Sequence, residues 1–214
     1  MPLHDFFHAA LARTFLLRTL LVLLMGLFIA MALSACNRET VSFRNTDITG
    51  ANFGHDFSLL DPDGATRSLA DFRGKVVMMF FGFTQCPDIC PTALSRAAQV
   101  RQLLGDDADR LQVIFVSVDP ERDLPGVLKA YTAAFDPDFL GLYTSLEETR
   151  KVADEFRVFY RKVPTGGSYS MDHTATSYVF DPAGRLRLAV SYQSTAESVA
   201  ADVQTLIQTA SSRP

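Results

Sequence analysis

The stretch FFGFTQCPDICPTAL, Phe80 to Leu94, sets Cys86 and Cys90 four positions apart and follows each with a proline. Two thiols so spaced can close a disulfide, cycle between thiol and disulfide, or give a metal two soft ligands. A disulfide needs Cα atoms about 4.4–6.8 Å apart, which this gap can satisfy. Closing so short a ring removes little chain entropy, however, so a staple is a poor purpose for it. A metal needs a further donor. Two thiolates with one imidazole can hold zinc if water completes the shell. The same donors suit copper, with Cu(I) content at low coordination number.

Beyond the N-terminal segment the chain offers two histidines, His55 and His173. His55, in NFGHDF, reads as a solvated surface residue. His173, in YSMDHTATSYVF, ends a glycine-containing loop and begins a β-rich run. On its own it is also an ordinary surface histidine, but it is the other soft-metal ligand in the body of the fold. Asp119, in SVDPERD, and Asp172 are each either turn residues or groups that orient the ligands. Both are placed outside the metal shell.

These residues need elements to position them. KVVMMFFGF, Lys75 to Phe83, is continuously apolar and suits a strand buried on both faces. It delivers the cysteines to the carboxyl end of a sheet, the edge where ligands gather in α/β folds. A helix then starts at Pro91, since a first-turn N–H would be unpaired anyway. With Pro91 as its first residue, Cys90 is the N-cap, where the helix dipole favours a thiolate. Leu94, Ala97, Ala98 and Leu104 line one side, and Gly105 ends the helix. LQVIFVSVDP reads as a second buried strand, Pro125 to Phe135 as a helix, FLGLYT as a short strand and LEETRKVADEFRVFY as helical at its start. Hairpins are expected about Asp61–Gly64 and Asp181–Gly184. STAE, Ser194 to Glu197, reads as a capping box for the last helix. The order is that of an α/β sheet covered on both faces.

The 214 residues carry a net charge of -4 and 48% hydrophobic residues. That bounds one ordinary domain plus extras and, lacking any basic excess, argues against a nucleic-acid partner. Arg13 and Arg18 precede an uncharged run from Thr19 to Ala35, the pattern of an export signal. It closes on LSAC, Leu33 to Cys36, which looks like a bacterial lipobox with Cys36 as the lipidated residue. The competing reading is an uncleaved anchor helix, for which 17 residues is at the short end of the spanning range. The expected organisation is a leader or anchor over 1–35, a flexible tether over 36–50 and a single domain over 51–214. Export would place Cys86 and Cys90 where disulfides persist.

DFRGKVVMMFFGFTQCPDICPTAL resembles the cysteine block of the Sco/SenC copper proteins almost position for position. VIFVSVDPERDLPGVLKAY resembles that family's second block, and YSMDHTATSYVFDPAGRL its histidine block. The resemblance runs in the family's order from Gly50 to Thr209. It implies a thioredoxin-like fold, a central mixed sheet flanked by helices, here with an added N-terminal hairpin. It also implies membrane tethering in the bacterial envelope, facing the periplasm. The ligands it implies are Cys86, Cys90 and His173, for Cu(I) or Cu(II). The partner it implies is the copper-site subunit of cytochrome c oxidase, or another copper protein, with a thiol reductant. Gln85, the short VPTGGSYSM loop and the lipobox-like leader depart from the usual pattern.

Three functions compete. A metallochaperone needs Cys86, Cys90 and His173. A thiol–disulfide oxidoreductase needs only the cysteines, although thioredoxin-type enzymes use two intervening residues and not three. CPTAL around Cys90 distantly resembles a peroxidatic-cysteine turn, which would make the chain a peroxidase.

Overall fold

A computed structural model describes residues 18–26 and 41–211. Residues 18–26 are helical, with exposed apolar side chains. Among the described residues no helix is long and apolar enough to cross a membrane. Cys36 lies outside the described residues. The described residues from Phe43 onward form one compact unit.

Strand β4 (Val76–Gly82) is buried at every position. It pairs in parallel with β5 (Leu111–Ser117) and antiparallel with β9 (Ser177–Phe180). A strand bonded on both edges and covered on both faces leaves no place for a polar side chain, hence the unbroken run VVMMFF. Its large side chains contribute roughly 1.5–3 kcal/mol each on burial, which makes β4 a firmly held base for the cysteine loop. Beyond β5 lies β6 (Leu140–Leu142), parallel to it. On the other side β10 (Leu186–Val190) pairs with β9, and β1 (Thr46–Asp47) with β10, both antiparallel. The mixed sheet runs β1-β10-β9-β4-β5-β6.

Helices α1 (Ile89–Leu104) and α4 (Ala196–Ser211) pack on each other, while α2 (Pro125–Ala133) packs on β6. The remaining helix, α3 (Leu146–Glu155), is capped by the Ser145 hydroxyl, which accepts from the Glu148 N–H. Within α1, Leu94, Ala97 and Leu104 are buried as the periodicity predicts. The N-terminal hairpin, β2 (Leu59–Leu60) and β3 (Thr66–Arg67), also stands, about a turn organised by the Asp61 carboxylate.

Four details differ from the sequence reading. The first helix has Asp88 at its N-cap position and begins at Ile89, so Cys90 is its second residue and not its cap. Pro91 is third, still within the turn whose N–H groups need no helical partner. The last helix is capped one residue later than STAE suggests, with the Thr195 hydroxyl accepting from the Ser198 N–H. The segment read as a loop before His173 is a hairpin of its own, β7 (Tyr160–Thr165) and β8 (Ser168–His173), turning at Gly166-Gly167. Gly166 sits at φ 60, where an L side chain is disfavoured.

The tether is the fourth difference. Part of the segment expected to be flexible is docked: β1 pairs with β10, and the backbone N–H groups of Arg44 and Asn45 donate to the buried Asp202 carboxylate at 2.8 Å. The Asn45 side chain adds a third bond to it. Lone polar residues on an apolar helix face carry no periodic signal, so the clasp was not readable from α4. Asp202→Ala is expected to cost about 2 kcal/mol, the scale of bonds to a charged acceptor. Urea unfolding reads the loss, with faster proteolysis within residues 43–50. An unchanged midpoint and cleavage pattern would show that the segment is held by other contacts.

Candidate metal centre

The cysteine loop begins where β4 ends. The Cys86 N–H donates to the Phe83 carbonyl, and the Thr92 N–H to the Asp88 carbonyl, so a tight turn runs directly into α1. The Cys90 N–H, one of the unpaired donors of the first helical turn, points at the Cys86 Sγ at 3.4 Å. The helix N-terminus therefore acts on Cys86, the reverse of the assignment made from Pro91. Cys90 is fully buried, whereas Cys86 is partly exposed. Gly82 permits this burial: a Cβ there would lie 2.7 Å from the Cys90 Sγ and 2.8 Å from the Phe115 ring. An alanine at that position would drive the thiol out of its seat.

The two thiols titrate as a pair. Cys86 is held well below the ordinary thiol range, first by a hydrogen bond from the Cys90 thiol. The backbone N–H groups of Asp88 and Cys90 act in the same direction, against the opposing effect of burial. Cys90 is pushed up, first by sharing that proton with Cys86 and then by burial. At neutral pH the pair holds one thiolate, on the exposed sulfur, and one thiol behind it.

His173 arrives from the far end of β8. Its Nδ1 lies 3.0 Å from the Thr174 carbonyl, an acceptor only, so Nδ1 carries the proton and Nε2 presents a lone pair. Nε2 is 3.5 Å from the Cys90 Sγ. The rings of Phe80 and Phe83 stand edge-on to the imidazole at 5.8 and 5.9 Å. Thr174 is itself fixed by a reciprocal pair of bonds with Phe159. The ligand atoms of Cys86, Cys90 and His173 all lie within 4.8 Å of one another. Two sulfurs and an imidazole nitrogen with a free lone pair form a soft donor set that fits copper.

The other candidates fall elsewhere. His55 is exposed and pairs with Glu155 at 2.9 Å. Asp172 points away into an exposed ion pair with Arg161. Asp119 is buried, but accepts from Arg122 at 2.5 Å and from the Tyr169 hydroxyl at 2.8 Å, so it serves the surroundings and not the donor set. Sequence reasoning missed Arg122 and Tyr169, whose roles arise from contacts 37 to 50 residues apart, and Thr174, which bonds Phe159 across 15 residues. The Gly166-Gly167 pair between β-forming residues was the one usable signal for the hairpin that carries His173. Above the donors lies a groove of about 470 Å³ walled by Phe83, Pro87, Ile89 and the exposed Phe159. A depression of similar size near Phe53 and Arg187 shares no lining residue with it.

Comparison with known proteins bears on this geometry. The SCO1/SenC family profile matches residues 45–208. An SCO2-like protein of Rickettsia felis is 31% identical over 170 residues, covering 78% of this chain and 83% of that one. The copper-bound structure of Bradyrhizobium japonicum ScoI is 42% identical, with a TM-score of 0.67 over 73% of this chain and 99% of its own. Apo Sco1 of Thermus thermophilus is 43% identical, with a TM-score of 0.69 over 78% and 99%. With its α/β fold, its mixed sheet and its Cys-Cys-His cluster, the chain belongs to the SCO1/SenC family.

Proposed function

We propose that this protein is a membrane-tethered copper chaperone, facing the bacterial periplasm, that loads the copper site of cytochrome c oxidase. The observation carrying it is the convergence of Cys86 Sγ, Cys90 Sγ and His173 Nε2 within 4.8 Å. Copper is the cargo: these three residues hold it, and a docked partner removes it by ligand exchange through the groove. The uncharged run from Thr19 to Ala35 and the LSAC sequence support the tether, with Cys36 as the lipid attachment point. The apolar run without the LSAC sequence would also suit an uncleaved anchor, the less favoured reading, and either would put the domain in an envelope compartment.

The nearness of Cys86 to Cys90 favours a second reading, a thiol–disulfide oxidoreductase that keeps the recipient's copper-binding thiols reduced. The partly exposed thiolate of Cys86 would attack a partner disulfide, forming a mixed disulfide and releasing one partner thiolate. Cys90, deprotonated, would then displace the second, leaving Cys86–Cys90 oxidised. Regeneration calls for a thiol reductant. Neither role excludes the other, since only the reduced pair binds copper.

Copper titration of the reduced full-length chain is expected to saturate at one ion. His173→Ala should weaken Cu(II) binding at least about 100-fold, beyond the 10–100-fold range usual for residues that merely support a ligand. An unaltered affinity and spectrum in that variant would remove His173 from the site, whereas undiminished disulfide reduction would favour the second reading.

Proton release gives an independent check. Ordinary thiols are almost wholly protonated at pH 7, so a pair of them would give up nearly two protons on becoming metal thiolates. Here Cys86 is already ionised and Cys90 is not. Cu(I) binding at pH 7 is therefore expected to release about one proton, measured by calorimetry in buffers of different ionisation enthalpy. Release close to two would refute the asymmetry.

A further inference from the structure

Resting on the copper reading above, we propose that Arg122 is the positioning residue of the metal centre, one side chain that sets the distance between the cysteine loop and the histidine hairpin. These two parts of the donor set share no ladder: β4 lies in the six-stranded sheet, whereas β7 and β8 pair with each other in a separate one. The β4–β9 ladder, with Phe80 opposite Ser177, brings the chain after His173 beside the cysteine strand, but it does not reach the cysteine loop or the β8 backbone ahead of the histidine.

Arg122 lies between them. Its Nη1 donates to the Gln85 side-chain oxygen at 2.9 Å and to the Tyr169 main-chain carbonyl at 2.8 Å. Gln85 immediately precedes Cys86. Tyr169 is on β8 four residues before His173, so the two side chains share a face of the strand. An antiparallel pair turns every second residue's backbone groups outward, and Arg122 takes the carbonyl at Tyr169. Its guanidinium also lies 3.7 Å from the Tyr169 ring centroid and 5.9 Å from that of Phe83, the ring that stands against His173.

The guanidinium is fixed from behind. The buried Asp119 carboxylate accepts from Arg122 Nε with one oxygen and from the Tyr169 hydroxyl with the other. Arg122, Asp119 and Tyr169 thus form a closed triangle, and Gln85 is attached to it. Only a planar fork with several donors can face a carboxylate, a carbonyl, an amide oxygen and a ring together; an ammonium is a single point charge. The spacing of ligand sulfur and nitrogen is therefore set by a residue that touches neither.

The test uses the full-length chain, wild type, Arg122→Ala, His173→Ala and the double variant, with folding checked by circular dichroism. Cu(II) affinity and the Cu(II) spectrum are measured for each. Arg122→Ala is expected to lose about tenfold or more in affinity, the effect typical of an outer-shell partner. Its spectrum should move toward that of His173→Ala, and adding it to His173→Ala should cost nothing further. A wild-type affinity and spectrum, or additive losses in the double variant, would overturn the proposal. If Arg122→Ala does not fold, Arg122→Lys serves: it keeps a charge beside Asp119 but cannot span Gln85 and Tyr169, and a wild-type spectrum from it overturns the proposal equally. Failure of the copper reading would appear separately, as a wild-type chain that binds no copper. In that event the metal-free chain still decides, because NOEs from the His173 ring to Phe80 and Phe83 should weaken in the Arg122 variants and persist if Arg122 is only structural.

Discussion

The Asp123 carboxylate is completely buried where β5 gives way to α2, and it is bonded on every side. One oxygen accepts from the Thr84 hydroxyl at 2.6 Å, the other from the Ser117 hydroxyl at 2.6 Å, and the Thr84 N–H lies within reach of both. Burial pushes this carboxyl up while the bonds from Ser117 and Thr84 pull it down. A buried polar group left without partners costs about 1–3 kcal/mol or more, so the turn at Thr84 cannot leave its place without stranding that group. Thr84 is two residues before Cys86, and the strand ahead of it is locked on both edges. The cysteine loop inherits its rigidity from these two anchors, and the site can be precise although it lies on a loop.

That rigidity gives the two sulfurs different work. They are four residues apart in one turn, yet one is walled in by Gly82 and Phe115 and the other faces the groove. The first turn of α1 adds to the difference, because its free N–H is aimed at Cys86. Sequence-identical residues acquire opposite proton affinities from their placement alone. The histidine differs again, being held through its backbone neighbours and by edge contacts with two phenylalanines. Its hairpin contributes Met171 to the core, packs Tyr160 and Tyr169 against it, and adds polar bonds through Arg122 and Asp119.

Much of the architecture was legible because burial writes a periodic signal. Val76 to Phe81, a β-rich apolar run bounded by Gly74 and the cysteine loop, suited a central strand, and the Asp-Pro turns at 61 and 181 announced their hairpins. The site was legible to the extent that it uses rare residues, since Cys86, Cys90 and His173 are few enough to single out. What the sequence concealed was everything set by contact between distant segments. The helix start moved from Cys90 to Asp88 because proline is tolerated throughout a first turn, so Pro91 marks a zone and not a boundary. The docking of residues 43–50 on Asp202, and the connection from Gln85 through Arg122 to Tyr169, involve ordinary polar residues whose partners lie 37 to 158 positions away. No local pattern encodes such pairs.

The absence of a side chain at residue 82 has a consequence for traffic. With Cys90 seated against bare main chain, the centre is closed behind and open in front, where Cys86, Phe159 and His173 meet the groove. Under the proposed function, whatever delivered metal, whatever accepted it and whatever restored the thiols would come to the same doorway. They would therefore visit one at a time, in an order governed by their relative concentrations and affinities. A glycine with no chemistry of its own would make such a centre a single-window exchange.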